Sequence, residues 1–192
     1  LAALSGCKSY IDVFKSGLEL HSEPARKIFG IMPGSEVPHE LRRKAKAINF
    51  AIIYGTTPFG LSEQIQGSVQ EAEAVIKGFY RAYPEIASYL ASIISNVEKQ
   101  GYVTTMFGRR RYLRDIQDGN YIKREAAKRA ALNAPVQGTA ADLIKMAMLQ
   151  VDKLLKDGHY RSKMVLQIHD ELLFAIEEDE LDELMPKLQT EM

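Results

Sequence analysis

The sequence predicts an α+β fold in which a mainly helical first half joins a second half of mixed helix and strand. Three observations carry this. Apolar residues recur at helical spacing through most of the chain. β-prone runs are confined to residues 102–107 and to two arms within 164–176. The 192 residues are 46 % apolar and 26 % charged, enough to bury a core and ordinary for a globular protein.

Taken in order, a helical stretch ends near Phe29, and the Gly- and Pro-rich residues 30–38 read as a loop. Residues 38–54 form a second helix, closed by 55–60, where Thr56, Thr57 and Pro58 act as breakers. Helical spacing returns over 68–83 and 84–100. A short β-prone run follows at 102–107. Helices are then predicted over 123–133 and 139–156, with Gly158 suited to a C-cap. The arms MVLQI and LLFAI flank the polar group His169, Asp170 and Glu171, the pattern of a hairpin with a charged tip, and 178–192 reads as a final helix. There is no fixed-period repeat and no low-complexity segment.

A formal net charge of +0 argues against a nucleic-acid partner only as an average. Arg109, Arg110, Arg111, Arg114, Lys123, Arg124, Lys128 and Arg129 face only Asp115, Asp118 and Glu125, while residues 177–183 are almost continuously acidic. The single cysteine, Cys7, permits no internal disulfide and fits a reducing compartment. No run of about 18 apolar residues suggests a membrane span, and the N-terminus lacks a signal-peptide pattern. The chain begins at Leu1 in a plausible helix and stops at Met192 in another, so we expect an excerpt of a longer polypeptide.

The segment RRKAKAINFAIIYG, residues 42–55, is the most informative. At about 100° per residue, Leu41, Ala45, Ile48 and Ile52 fall in a stripe roughly 60° wide, the face expected to pack on the protein. Arg42, Lys46, Phe50 and Tyr54 drift around a second face centred roughly 150° away. A solvated amphipathic helix accounts for the two cations, but two large rings among them ask for a covering partner. A nucleotide supplies one, with phosphates against the cations and base or sugar against the rings. At about 1.5 Å per residue, Arg42 and Tyr54 stand roughly 18 Å apart, long enough to run from a triphosphate tail to a stacked base pair.

Arg42, Lys46, Phe50, Tyr54 and Gly55 match, at the same spacing, the pattern R-x3-K-x7-YG with INF and IYG, and the chain thereby resembles the family A DNA polymerases. The resemblance runs from LAALSG to the acidic terminal helix. It implies a mostly helical fingers subdomain (1–118) and part of a palm subdomain (119–192) with an antiparallel β-hairpin, cut from a larger right-hand polymerase domain. It implies that Arg42 and Lys46 bind the triphosphate, that Phe50 lies by the sugar and disfavours dideoxynucleotides, and that Tyr54 packs near the templating site. His21, in LELHS, sits where the family places a triphosphate contact, although a lone His is otherwise a structural residue.

In LQIHDELLF, Asp170 and Glu171 stand at the tip between two apolar arms that would otherwise make a buried hairpin. Such a tip can be only a polar turn. It also suits a hard cation, since Mg²⁺ uses one or two protein carboxylates with phosphate oxygens and waters. HDE after an apolar strand resembles the family's palm motif, which implies Asp170 as a metal ligand and catalytic group, Glu171 as a secondary carboxylate with a catalytic part, and His169 beside the primer terminus; the fingers-helix resemblance likewise implies Lys46 as catalytic. Two Mg²⁺ ions are implied for the complete enzyme. The second aspartate, in a strand resembling DYSQIELR, would precede Leu1. Asp12 lies too far along to replace it, so we expect the excerpt alone not to polymerise.

Arg129, Asn133 and Gln137 recur every four residues on one slowly drifting face, and Pro135 is expected to bend the helix. As donors they suit the minor groove, where every base pair offers acceptors; Asn133 and Gln137 could equally bridge backbone around Pro135. NAPVQGTAADLIK resembles the family closely and implies duplex contacts. Arg109, Arg110 and Arg111 read as phosphate contacts or as a solvated basic loop.

The implied partners are primer-template DNA and dNTP, with no membrane, for a monomer within a longer polypeptide. It would be cytoplasmic and nucleoid-associated in a bacterium, or organellar. Ala51, where Gly is frequent, and the looser segment QIQGSVQEAEA leave the subfamily open. A phage-type single-subunit RNA polymerase shares the Arg, Lys and Tyr-Gly framework but lacks Phe at the position of Phe50 and usually has Ser after HD. A non-catalytic DNA-binding module is the remaining alternative.

Overall fold

The computed structural model describes residues 1–17, 19, 21–32 and 34–192. The stretch expected to be helical up to Phe29 contains three short helices, α1 (Ala2–Ser5), α2 (Lys8–Lys15) and α3 (Ser22–Phe29). Leu18 and Leu20, in that stretch, and Pro33, in the expected loop 30–38, lie outside the described residues; the described part of that loop carries no helix or strand.

Helix α4 (His39–Tyr54) follows Pro38 and ends at Gly55, which is left-handed at φ 61°. The breakers after it do two jobs. They stop α4, and they also start α5 (Pro58–Ile65), where the sequence suggests only the close of a helix. The Thr57 hydroxyl accepts from the Gly60 N–H at 3.2 Å, and Pro58 sits in the first turn, where an N–H would lack an intrahelical partner anyway. Ser68 caps α6 (Val69–Ala82) by accepting from the Glu71 N–H at 3.1 Å, and Pro84 opens α7 (Pro84–Gln100).

Strand β1 (Tyr102–Thr104) pairs antiparallel with β2 (Arg110–Tyr112), which lies inside the segment read as a basic loop. Tyr102 stands opposite Tyr112 with ring centroids 5.6 Å apart, a cross-strand aromatic pair that two flanking glycines and three arginines hide in the sequence. The helices expected at 123–133 and 139–156 are one helix, α8 (Tyr121–Asp157), with Pro135 inside it. Proline removes a single ladder bond, and the Ala-rich flanks on both sides propagate the helix across it.

The chain divides into two compact units, residues Leu1–Gln137 and Gly138–Met192, with α8 running through the division. In the first, Ile48, Leu61, Ile65, Phe79, Tyr83 and Ile86 are fully buried in one core that joins α4, α5, α6 and α7. Burial of that apolar area, at about 25 cal/mol per Å², is what holds these helices in place. In the second, β3 (Lys163–Ile168) and β4 (Glu171–Ala175) form the expected hairpin, followed by α9 (Leu181–Glu191). Its core is small, with Val151, Leu155, Leu184 and Leu188 packed by Met164, Phe174 and Ile176. The hairpin arms are less buried than their apolar sequence suggests, for Val165, Leu166, Ile168 and Leu173 are exposed. Among the described residues no helix is long and apolar enough to cross a membrane.

Candidate functional site

In the first unit, α4 carries the two faces that its periodicity demands. Ala45, Ile48 and Ile52 are buried, and Leu41, in the first turn, is half-buried. Arg42, Lys46, Phe50 and Tyr54 are all exposed. The Phe50 and Tyr54 rings, each 45 % exposed, lie 6.3 Å apart with planes 19° from parallel. The remaining cations of the helix are engaged elsewhere. Arg43 donates to Glu40 and to the Gln64 carbonyl, and Lys44 pairs with Glu71 of α6 at 2.8 Å. Arg42 and Lys46 form no salt bridge among the described residues, which leaves two positive charges beside two exposed rings on one stripe.

His21 comes to the same helix. Its ring is half-buried, and its Nδ1 stands 3.1 Å from the Asn49 amide nitrogen. Burial lowers the His21 pKa from its ordinary value; Glu19 opposes this, and Lys46 and Arg42 reinforce it. Beside the pair lies a recess of about 130 Å³ lined by His21, Asn49, Phe50, Ile53, Tyr10 and Phe79 among others.

At the C-terminal end of α4 the chain passes unusually close to α8. Glycine at position 55 is favoured by the left-handed turn, and a Cβ there would meet the tip of the Leu132 side chain, Cδ1, at 2.9 Å, so that side chain would have to shift. The approach sets Tyr54 against the face of α8 that bears the recurring donors: Gln137 Nε2 donates to the Tyr54 hydroxyl at 3.3 Å. Tyr54, Thr56, Thr57, Arg129, Ala130 and Asn133 line a cavity of about 500 Å³. Thr56 and Thr57 were legible only as breakers, with nothing in their spacing to mark them as lining residues. The Asn133 amide nitrogen is buried there without a partner among the described residues, and Gln137 reaches a side chain rather than the backbone around Pro135.

Arg110 projects from β2 with its guanidinium 4.7 Å from the centroid of the Tyr102 ring. The Arg109 N–H bonds the Thr105 hydroxyl at 3.2 Å, and Arg111 is exposed on the same strand. The basic segment is thus a structured ribbon.

In the second unit, Ile168 pairs with Glu171, so His169 and Asp170 make a two-residue turn. His169 is left-handed at φ 54°, a conformation uncommon for a residue with a Cβ, and its carbonyl accepts from Gln167 Nε2 at 2.8 Å. Asp170 and Glu171 are exposed at the tip. Among the described residues no group of three His, Cys, Asp or Glu side chains is disposed to hold a metal ion.

The model of DNA polymerase family A matches residues 1–192. A DNA polymerase I from Mycobacterium tuberculosis is 46 % identical over 176 residues, covering 92 % of this chain and 19 % of the relative. The DNA polymerase I of Streptococcus pneumoniae is 41 % identical over 184 residues, covering 96 % of this chain and 21 % of the relative. Among solved structures, the POL domain of Pol1 from M. smegmatis in complex with DNA primer-template and dNTP superposes with a TM-score of 0.92 at 42 % identity, covering 99 % of this chain and 33 % of that one. The chain spans about a fifth of the length of these curated relatives.

Proposed function

The chain belongs to DNA polymerase family A, and on that premise we propose that it carries the nucleotide-gripping helix and one metal-binding turn of an enzyme that extends a primer 3′-hydroxyl with dNTPs as a DNA template directs. The observation that carries this reading is the α4 stripe, with Arg42, Lys46, Phe50 and Tyr54 all exposed while the opposite face is buried. The structural relative in complex with primer-template and dNTP, and relatives bearing the name DNA polymerase I, speak for DNA synthesis over an RNA polymerase or a non-catalytic module.

In this reading Arg42 and Lys46 hold the polyphosphate by charge-assisted hydrogen bonds, with His21 as a further donor. Lys46 also neutralises charge that builds on the leaving pyrophosphate. The Phe50 ring lies under the sugar and Tyr54 borders the templating base. Arg129, Asn133 and Gln137 offer donors to minor-groove acceptors, which test pair geometry without reading sequence. The unpartnered amide nitrogen of Asn133 supports that role, because a buried donor without an acceptor is costly unless a ligand supplies one. Arg109 and Arg110 meet backbone phosphates, the Arg110 guanidinium lying against the Tyr102 ring and its side chain also hydrogen-bonded to Tyr112.

Asp170 and Glu171 are hard oxygen donors exposed at a tight turn, and one or two carboxylates suit Mg²⁺, which fills its octahedron with phosphate oxygens and water. Asp170 would ligate the metal and Glu171 would assist as a secondary carboxylate; His169 would lie near the primer terminus. When bound, two such ions supply charge stabilisation at the attacking and leaving oxygens of an in-line displacement. We assign residues 1–118 to fingers and 119–192 to palm, by the family's anatomy rather than by the compact units, which divide within α8. We place the protein with bacterial DNA in the cytoplasm, acting as a monomer within a longer polypeptide.

The test uses the complete polymerase. Arg42→Ala should raise KM for dNTP by about tenfold or more, the scale of a lost charge-assisted bond, while primer-template Kd stays within twofold. Unchanged KM would remove the triphosphate role of the stripe.

A further inference from the structure

On α4, Asn49 falls between the packed face and the exposed stripe, about 100° from Phe50. It is only 7 % exposed, so its amide is one of few polar side chains buried in the first unit. One end of that amide is used, since Nδ2 lies 3.1 Å from Nδ1 of His21. The other end is not, because Oδ1 is buried with no hydrogen-bond partner among the described residues. An unsatisfied buried acceptor costs about 1–3 kcal/mol, whereas an apolar side chain of similar size would pack there freely. Packing alone therefore does not explain an amide at this position, and among the described residues its hydrogen bond is to His21.

That bond has a chemical consequence. A carboxamide nitrogen can only donate, so Nδ1 of His21 must accept, and the neutral ring then carries its proton on Nε2. His21 is the N-cap residue of α3 but makes no side-chain capping bond. Glu19, Lys46 and Arg42 are the charged groups within electrostatic reach of it. Two of these are the cations of the nucleotide stripe.

We propose that Asn49 is a positioning residue for nucleotide use: by donating to Nδ1 it locks His21 in the tautomer whose Nε2–H is a hydrogen-bond donor to the polyphosphate. This rests on the triphosphate role given to the stripe above. Without the amide, the ring is free to rotate and to take the Nδ1–H tautomer, which presents an acceptor to an anion. Burial and the two neighbouring cations hold the ring toward its neutral form, in which the choice of tautomer decides whether it can bind phosphate at all.

Two measurements on the complete polymerase test this. With ¹⁵N-labelled histidine, and His21→Gln to identify the signal, the neutral His21 ring should show its proton on Nε2. A proton on Nδ1 overturns the proposal without needing any variant of Asn49 to fold. Steady-state kinetics of His21→Ala, Asn49→Ala and the double variant supply the second. Each single change should raise KM for dNTP roughly fivefold, the scale of one hydrogen bond, and Asn49→Ala should add less than twofold once His21 is gone. If His21→Ala leaves KM unchanged, the triphosphate role of His21 fails and this proposal with it. If His21→Ala raises KM but Asn49→Ala acts equally in both backgrounds, the positioning role alone fails.

Discussion

Phe50 and Tyr54, one turn apart on α4, lie nearly parallel with ring centroids 6.3 Å apart, both exposed on a helix whose other face buries Ala45, Ile48 and Ile52. Two exposed rings held in register make a platform rather than a loose surface, and the platform continues the line begun by Arg42 and Lys46.

The platform makes the Phe50 ring edge the group nearest the sugar in the proposed complex. Phe50→Tyr adds a hydroxyl there that can stand in for a missing sugar hydroxyl. The kcat/KM for a dideoxynucleotide relative to the normal one should rise by about tenfold or more, on the scale of a hydrogen bond to a charged group. Terminator competition in primer extension measures it, and an unchanged ratio would separate Phe50 from the sugar.

Gly55 is left-handed and would press a Cβ to 2.9 Å from Leu132. Gly55→Ala should lower stability by about 1–2 kcal/mol, chiefly through the left-handed conformation, with the Leu132 side chain shifting to admit the Cβ. It should also push Tyr54 away from Gln137, which now donates to its hydroxyl at 3.3 Å. Denaturant unfolding and misincorporation assays report the two effects, and the second should exceed that of Tyr54→Phe.

Asn133 buries an amide nitrogen with no partner in a cavity of about 500 Å³. Asn133→Leu should therefore leave stability unchanged or raise it by up to about 1 kcal/mol, while primer-template Kd weakens roughly fivefold. Loss of stability with intact DNA affinity would make Asn133 a structural residue only.

In the second unit, Glu180 accepts from the Ser162 hydroxyl at 2.6 Å and from the N–H groups of Arg161 and Ser162 at 2.9 Å. The Ser162 hydroxyl and these N–H groups pull its pKa down from 4.5 to about 2. A carboxylate with a depressed folded pKa contributes stability that is complete above its ordinary value and is lost as pH falls through the folded value. Acid unfolding of residues 138–192, followed by hydrogen exchange, should therefore steepen between about pH 4.5 and pH 2, and Glu180→Gln should flatten that window.

Much of this was legible in the sequence because the signals were periodic or sharply bounded. The α4 faces follow from the spacing of Ala45, Ile48 and Ile52, and the hairpin follows from two apolar arms around His169, Asp170 and Glu171. What escaped was set by contacts distant in sequence or by residues that serve two roles. Strand β2 exists because Tyr112 meets Tyr102, and α5 because Thr57 and Pro58 both stop one helix and open the next. The sequence suggests two helices, 123–133 and 139–156, around a Pro135 expected to bend the chain, yet one missing donor does not interrupt a helix with strong formers on either side. Asn49 lay unread inside INF, since only the fold brings His21 to it. The subdomain boundary at 118 and the site roles stand as proposals drawn from the family.

Asp170→Ala should abolish synthesis by the complete polymerase while primer-template Kd changes little, because a turn exposed at the hairpin tip contributes little to folding. Residual normal synthesis would count against its place as a metal ligand.

The central claim is that charge on one face of α4, and not charge on α4 as such, holds the nucleotide. Lys46 and Lys44 make the comparison within one helix, since Lys44 is tied to Glu71 at 2.8 Å while Lys46 stands on the exposed stripe. Single-turnover incorporation by the complete polymerase should lose about a hundredfold or more in efficiency for dNTP with Lys46→Ala, and less than about threefold with Lys44→Ala. Equal losses from the two substitutions, or none from Lys46→Ala, would contradict the account.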